Sequence, residues 1–225
     1  MPPSQATAGR RVREKELVAA TRALFDEHGM QHAPIEDIAQ AAGIARGLIY
    51  RVFSSKEELY VLTVTDYLEE LRGLLETAAA SSSDPVEQTR RLVEAFAGFC
   101  QRYPAFLDCA LSLMQRPARE LQEIVSESVS LRLGQGMASC LHSVAQALRD
   151  GTEAGIFEVE DADYMANVLW TQMLGTMHLA RIRVGVRQAA PGIPGLFSVE
   201  PDRLVDTCVA SALATLGVRD ASARG

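Results

Sequence analysis

The sequence lacks several features that would place it in other classes of protein. No run of about 18 uninterrupted apolar residues occurs, and the first 15 residues are polar and basic where a signal peptide is apolar. The four cysteines, at positions 100, 109, 140 and 208, include no CxxC pair, which disfavours a disulfide framework or a four-thiolate zinc site. We therefore expect a cytoplasmic protein without a membrane partner, with reduced and mostly buried thiols.

Catalytic and cofactor motifs are also missing. No Ser-His-Asp set, paired-carboxylate motif, HExxH segment, phosphate loop or dinucleotide fingerprint can be placed, and the four histidines form no mutual pattern. Cys140 and His142 form a CxH pair, but residues two apart on a helix point about 200° apart, which disfavours a shared metal. We expect no enzyme activity, no catalytic residue, no metal and no cofactor.

Signals for β-strands are almost absent, whereas helical periodicity runs through nearly the whole chain. The fold is therefore predicted to be all-α, with about nine helices, and the glycine- and proline-rich segment from Gly185 to Ser198 is predicted to be a loop. The helices are predicted from about Val12 to His28, from Pro34, from about Ala45 to Phe53, from Lys56 to about Ala80, from Pro85, from Pro104, from Pro117 to about Gly151, after Asp161 through Ile182, and from about Pro201 to Leu216.

Two helix starts carry strong capping signals. Ser55 followed by Glu58 is a capping box, in which the hydroxyl and the carboxylate each satisfy a backbone N–H. Asp84, Pro85 and Glu87 repeat the signal after a serine linker. Both are predicted to begin long helices.

Charge is distributed unevenly along the chain. Residues 1–60 carry eight basic and eight acidic side chains, so the whole net charge of −7 belongs to residues 61–225. The basic residues Arg10, Arg11 and Arg13 come together near the start. This distribution fits a protein that contacts polyanions only at one end.

The segment around Gly43 carries the functional prediction. Glycine adopts a positive φ without strain, so Ala42-Gly43-Ile44 is predicted to be a sharp turn between two short helices. The second of them would bury Ile44, Ile49 and Phe53, and such a pair can insert a helix into the major groove of DNA. The alternative is an incidental turn with solvated arginines. The outward side chains would be those of Arg46, Gly47, Leu48, Tyr50 and Arg51.

The run from Leu17 to Leu59, above all DIAQAAGIARGLIYRVFSSKEEL, resembles the DNA-binding region of the tetracycline-repressor (TetR) family of transcriptional regulators. The resemblance implies a helix-turn-helix domain over residues 1–54 and a larger helical ligand-binding and dimerisation domain over residues 55–225. The matching elements are Leu24-Phe25, Gly29, Asp37-Ile38-Ala39, Ala42-Gly43-Ile44, Gly47, Tyr50 and Phe53-Ser54-Ser55-Lys56.

The resemblance also implies roles for individual residues. Arg46, Gly47, Leu48 and Arg51 would face the groove, Tyr50 and Lys56 would hold phosphates, and the arm with Arg10, Arg11 and Arg13 would reach flanking DNA. The family usually has hydroxyl residues where this chain has Ala33, Pro34 and Ala45, so phosphate contacts there would rely on backbone N–H groups at helix starts. Leu48 replaces a small or polar residue, and we expect it to pack against a thymine methyl group.

For the larger domain, the resemblance implies a homodimer formed by the last two helices and an apolar pocket for a small effector. Core packing is the alternative for each pocket residue. The function expected is a ligand-responsive repressor of a palindromic operator, and the alternative is a ligand-binding or interaction module of similar fold that does not bind DNA. The expected pocket residues are Phe96, Phe99, Phe106, Met114, Trp170, Met173, Met177 and His178.

Overall fold

The computed structural model describes residues 5–218, and this range is helical apart from one β-hairpin. The all-α prediction is confirmed, with ten α-helices in the described range instead of about nine. None of these helices is long and apolar enough to cross a membrane. The elements are α1 Gln5–His28, a 3₁₀ turn Met30–His32, α2 Ile35–Ala41, α3 Arg46–Val52, α4 Lys56–Ala80, α5 Pro85–Arg102, α6 Pro104–Met114, α7 Ala118–Ile124, α8 Glu127–Glu153, α9 Ala162–Ile182, β1 Val184–Ala190, β2 Ile193–Ser198 and α10 Pro201–Thr215.

Two of the first helix boundaries differ from the prediction. Helix α1 begins at Gln5 and not near Val12, because the intervening residues are mostly good helix formers. Pro34 is not the first residue of α2 but the residue before it, with an extended ψ of 157°. The basic side chains expected on an arm therefore belong to a helix.

The long stretch predicted from Pro117 is two helices. The chain breaks at Val125, which is extended (φ −118°, ψ 154°) and buries its side chain. The glycines that weakened the prediction of one straight helix lie inside α8. At one of them, Gly136, a Cβ atom would come within 3.3 Å of the Leu68 side chain, so glycine permits a close approach to α4.

The prediction of a loop from Gly185 to Ser198 is wrong, because most of this segment forms the β1–β2 hairpin. The strands are antiparallel, with Val186 opposite Leu196. The turn residues occupy the tip, where Gly192 has a φ of 76°, and Gly185 lies under the ring of Phe197. Proline and glycine therefore mark a hairpin turn here and not a long irregular segment.

The chain divides into two compact units that are not consecutive segments. The first contains the residues up to Glu70 together with Tyr103–Met137, and the second contains Leu71–Arg102 and the residues from Ala138 onward. Helices α4 and α8 contribute residues to both units. These units differ from the segments 1–54 and 55–225 expected for the two functional domains, and the functional boundary stays a prediction.

The core of the first unit joins α1–α4 to α7 and the start of α8. Leu17, Ile38 and Ile49 have no exposed surface, and Val125 and Val129 pack into the same cluster. Each fully buried aliphatic side chain contributes about 1.5–3 kcal/mol relative to exposure. The helix-turn-helix therefore shares its core with a segment about 70 residues further along the chain.

A charged network in the first unit ties α1 to α4 and α6. The Arg22 guanidinium lies 4.2 Å from the Tyr67 ring centroid and 4.8 Å from that of Tyr103, and it donates to Asp66 at 2.8 Å and to Glu70. Burial alone would lower the pKa of Arg22, but the hydrogen bonds and charges of the two carboxylates outweigh it and raise that pKa. Arg22 therefore stays charged within the unit.

In the second unit, α5 packs against both α9 and α10. The Phe96 and Trp170 rings meet edge to face with centroids 4.7 Å apart. Helix α9 begins as predicted after Asp161, whose carboxylate accepts the Tyr164 N–H at 2.9 Å.

All four cysteines are buried, as expected, and none of them is in a disulfide. Burial raises the pKa of the Cys109 and Cys140 thiols to about 12. These two side chains are therefore protonated and unreactive at neutral pH. No group of three or more His, Cys, Asp or Glu side chains in residues 5–218 is arranged to hold a metal.

Candidate nucleic-acid interface

The turn between α2 and α3 is held by two hydrogen bonds. Gly43 has a φ of 65°, its N–H donates to the Gln40 carbonyl at 3.0 Å, and the Ile44 N–H donates to the Ala39 carbonyl at 2.9 Å. This pair of bonds is the Schellman motif, which ends a helix at a residue with a left-handed conformation. The turn redirects the chain sharply, so α2 and α3 form a helix-turn-helix.

Helix α3 buries one side and exposes the other. Ile49 is completely buried and Phe53 nearly so, while Leu48 and Tyr50 are 41% and 45% exposed. Helix α3 therefore presents apolar and aromatic surface to solvent beside its arginines. The predicted outward face is therefore present, and its exposed members are Arg46, Gly47, Leu48, Tyr50 and Arg51.

Arg46 makes an ion pair that the sequence did not reveal. Its guanidinium lies 2.7 Å from the Glu36 carboxylate at the start of α2, and both side chains are more than half exposed. A pair this exposed contributes only about 0.2–1 kcal/mol. The Arg46 guanidinium can therefore leave Glu36 and bind a base edge or a phosphate at little cost in free energy. Until then, the ion pair with Glu36 holds the Arg46 side chain at the surface.

Gly47 is not required by the packing of the protein itself. A Cβ atom at this position would meet nothing within 4 Å, and the backbone φ is not positive. Glycine in an exposed helix costs about 1 kcal/mol relative to alanine. The glycine therefore leaves the backbone of α3 open to close approach from outside the chain.

Arg10 caps α3 and does not extend from a separate arm. Its guanidinium donates to the Val52 carbonyl at 2.9 Å, where α3 ends and its last carbonyls lack helical partners. Arg13 pairs with Glu16 at 3.3 Å, while Arg11 is exposed. The prediction that these three arginines lie on a separate arm is therefore wrong, because all three belong to α1.

Lys56 is positioned by a tyrosine one turn later on α4. Its ammonium lies 4.9 Å from the Tyr60 ring centroid, and the Tyr60 hydroxyl donates to the Ala33 carbonyl at 2.9 Å. The hydrogen bond with Tyr60 raises the pKa of Lys56 against the opposing effect of burial, and Tyr50 adds a smaller electrostatic contribution. The contact with Tyr60 therefore fixes the position of a charged ammonium at the start of α4. The i, i+4 spacing of Lys56 and Tyr60 is the signal that could have indicated this pair.

Glu58 holds the junction between α3 and α4. The Glu58 N–H donates to the Ser55 hydroxyl at 3.0 Å as the capping box predicts, but the carboxylate accepts from Ser54, not from the Ser55 backbone. The Ser54 N–H is 2.6 Å away and its hydroxyl 2.8 Å, and the Ser126 hydroxyl also donates to the carboxylate. Burial alone would raise the pKa of Glu58, but these hydrogen bonds outweigh it and lower that pKa.

Pro34 and Ala45 occupy the residues just before α2 and α3. Both are exposed, and neither side chain makes a capping hydrogen bond, because neither carries an acceptor. The first backbone N–H groups of α2 and α3 therefore receive no side-chain cap from these residues.

The effector pocket predicted from the sequence is only partly assembled. Phe96, Trp170 and Met173 line an apolar cavity of about 30 Å³ in the second unit. The other lining residues are Leu75, Thr89, Leu92, Val93, Val144, Ala166 and Leu169.

Five expected pocket residues lie elsewhere. Phe99 and Met177 are buried outside this lining, and Phe106 is buried in the first unit beside Tyr67. Met114 and His178 are exposed, so these two predictions are wrong. His178 follows Met177 by about 100° around α9, which directs it away from the core. Thr89, which sequence reasoning missed, is a polar residue within an otherwise apolar helix face.

The tight turn, the buried inner side and the exposed outer side of α3 define a helix-turn-helix motif. A sequence model of the family described as "Bacterial regulatory proteins, tetR family" matches residues 17–62. Helices α2 and α3 lie within this match, so the helix-turn-helix region of the chain is similar to that family.

Curated relatives match over less than half of the chain. The "HTH-type transcriptional repressor KstR2" of Rhodococcus jostii (strain RHA1) is 36% identical over 83 residues, which are 37% of this chain and 41% of that protein. The "HTH-type transcriptional activator FasR" of Mycolicibacterium smegmatis is 30% identical over 89 residues, 40% of this chain and 41% of the relative. The chain thus spans 41% of the length of each. Both are named as transcriptional regulators, in agreement with the sequence prediction.

Solved structures extend the likeness to nearly the whole fold. The TetR family regulator PfmR from Thermus thermophilus superposes with a TM-score of 0.61 at 22% identity, covering 95% of this chain and 98% of that one. RolR, solved in complex with resorcinol, gives a TM-score of 0.61 at 18% identity, covering 96% of this chain and 93% of RolR. At these identities the likeness concerns the fold.

Proposed function

We propose that this protein is a dimeric, ligand-responsive transcriptional repressor that binds a palindromic DNA operator and is released from it by a small apolar effector. The exposed outer face of α3, fixed by the complete burial of Ile49, is the observation that carries the proposal. Repression is proposed because KstR2, the relative with the higher identity of the two described above, is named a repressor.

On operator DNA, the outer face of α3 supplies two kinds of contact. Arg46 and Arg51 carry guanidinium groups suited to bidentate bonds with guanine, and Leu48 suits a thymine methyl group. Tyr50 and Lys56 hold the neighbouring phosphates, which fixes the register of the helix without reading sequence. The exposure of Tyr50 and the contact that holds the Lys56 ammonium beside Tyr60 support this assignment.

Dimerisation is assigned to the exposed face of α9 and α10. A groove of about 1080 Å³ lies between these helices, and its lining includes the small residues Gly175, Ser211 and Ala214. Small residues let two helices approach closely, and a two-fold axis would pair this face with its copy. A dimer is needed because a palindrome presents its half-sites one helical turn or a multiple apart, about 34–36 Å per turn.

Release by an effector is assigned to the second unit. RolR in its resorcinol complex is a fold neighbour, which supports a small ligand in this type of fold. The cavity of about 30 Å³ is far smaller than the roughly 300–1,000 Å³ of ordinary ligand pockets, so binding would enlarge it. The effector can favour release only to the extent that it binds the enlarged state more tightly.

The test is a selection of bound duplexes from random DNA. The wild-type protein should enrich a palindromic motif, and its affinity should fall steeply with salt because phosphate contacts release counterions. The double variant Arg46→Ala, Tyr50→Phe should lose the motif, whereas Arg91→Ala, which removes an exposed arginine of α5, should retain it. Failure of the wild-type protein to enrich any motif would contradict DNA recognition and favour a module that does not bind DNA.

A further inference from the structure

The apolar cavity of the second unit contains one unsatisfied polar atom. The side-chain oxygen Oγ1 of Thr89 on α5 is buried without a hydrogen-bond partner, and Thr89 is only 3% exposed. The same residue lines the cavity. A buried hydroxyl without a partner destabilises a protein by about 1–3 kcal/mol, so this one requires an explanation.

Other helical threonines satisfy their hydroxyls locally. Thr21, Thr63 and Thr152 each donate to the carbonyl four residues earlier, at 2.8, 2.9 and 2.8 Å. This back-bonding is the usual arrangement of threonine in a helix. Thr89 departs from it, and its hydroxyl is left available to a molecule inside the cavity.

The cavity lining selects the chemistry of that molecule. It contains no ionisable side chain, so a charged ligand would lose hydration without compensation. A water molecule needs two to four polar partners to be held in an interior site, and Thr89 is the one hydroxyl in the lining. Phe96 and Trp170 instead offer aromatic surface, and Met173 has a flexible side chain that can move to enlarge the space.

We propose that Thr89 is the hydrogen-bonding anchor of the effector site, and that the effector is an uncharged, mostly apolar small molecule with one hydroxyl or carbonyl group beside Thr89. This inference rests on the proposed function only in placing the effector in the second unit. The apolar part of the molecule lies among Phe96, Trp170 and Met173. The hydrogen bond to the Thr89 hydroxyl makes the site prefer this effector to a hydrocarbon of the same shape.

The test compares phenol with toluene, which have nearly the same shape and differ in the hydroxyl group. Trp170 is the sole tryptophan of the chain and lines the cavity, so its fluorescence reports binding directly. Wild-type protein should bind phenol more tightly than toluene. Thr89→Val should weaken phenol binding about three- to tenfold and leave toluene binding unchanged or tighter. Ser130→Ala, which removes the other buried hydroxyl without a partner within residues 5–218, should change neither affinity.

Three results would overturn the proposal. They are no change in phenol affinity in Thr89→Val, an equal loss for both probes, or no saturable Trp170 response of the wild-type protein to either probe. Because these titrations contain no DNA, they are independent of operator binding. A protein that selects an operator but gives one of these results retains the regulatory function and lacks the Thr89 anchor.

Discussion

The hydrogen bonds around Glu58 allow a quantitative test of how the helix-turn-helix is held in place. Glu58→Gln preserves the shape of the side chain but removes its charge and turns one terminal oxygen into a donor. The Ser126 hydroxyl can rotate to accept from the new amide, whereas the Ser54 N–H can only donate and therefore needs the remaining oxygen. The expected loss is thus the charge assistance, because hydrogen bonds to charged groups contribute about 1.5–3 kcal/mol.

The corresponding assay is urea unfolding followed by circular dichroism at several pH values. At pH 7 we expect Glu58→Gln to lower the free energy of unfolding by about 2 kcal/mol, or Tm by roughly 4–8 °C for a chain of this length. The pKa of Glu58 is lowered in the folded state from its ordinary value of 4.5. The ionised carboxylate therefore stabilises the fold fully above pH 4.5, and this contribution is lost as the pH falls through the folded pKa.

The difference between wild type and Glu58→Gln should accordingly be constant near neutral pH and shrink on acidification. Glu69→Gln is the matched control, since Glu69 is exposed on the same helix. Its substitution should change stability by less than about 0.5 kcal/mol. Equal stability of the two variants at pH 7, or a difference that grows as the pH falls, would refute the assigned role of these hydrogen bonds.

Four further predictions concern the two glycines of the helix-turn-helix, the cavity and the dimer face. Gly43→Ala should lower the free energy of unfolding by about 1–2 kcal/mol, because Gly43 has a positive φ. Gly47→Ala should raise Tm but weaken operator binding in a gel-shift titration. If the Gly47→Ala variant binds the operator as tightly as wild type, DNA does not approach the backbone closely at this position. Thr89→Val should raise unfolding free energy by about 1–3 kcal/mol in ligand-free protein, and a fall in Tm would mean that its hydroxyl has a partner. Gly175→Arg should convert the dimer expected at micromolar protein concentration to a monomer, as measured by light scattering. Gly73→Arg is the control and should remain a dimer. If Gly175→Arg also remains a dimer, the interface does not include this face of α9.

The sequence alone determined the features that depend on neighbouring residues. Helical periodicity, the serine and aspartate caps and the glycine turn placed most of the helices, because each signal acts within about four residues. The same local pattern made Ile49 an inward residue and Tyr50 an outward one. The outer face of α3 could therefore be predicted from the sequence without the tertiary structure.

The tertiary structure decided what depends on residues distant in sequence. Val125 breaks a helical stretch because its side chain joins the core of the first unit, and Glu58 bonds Ser126 across 68 residues. No local pattern encodes such contacts, since they exist only when separate elements pack. The Thr89 hydroxyl could not be predicted to lack a partner for the same reason, because this depends on how the residues around the cavity pack. The sequence thus predicts which residues are able to interact, and packing decides which of them meet.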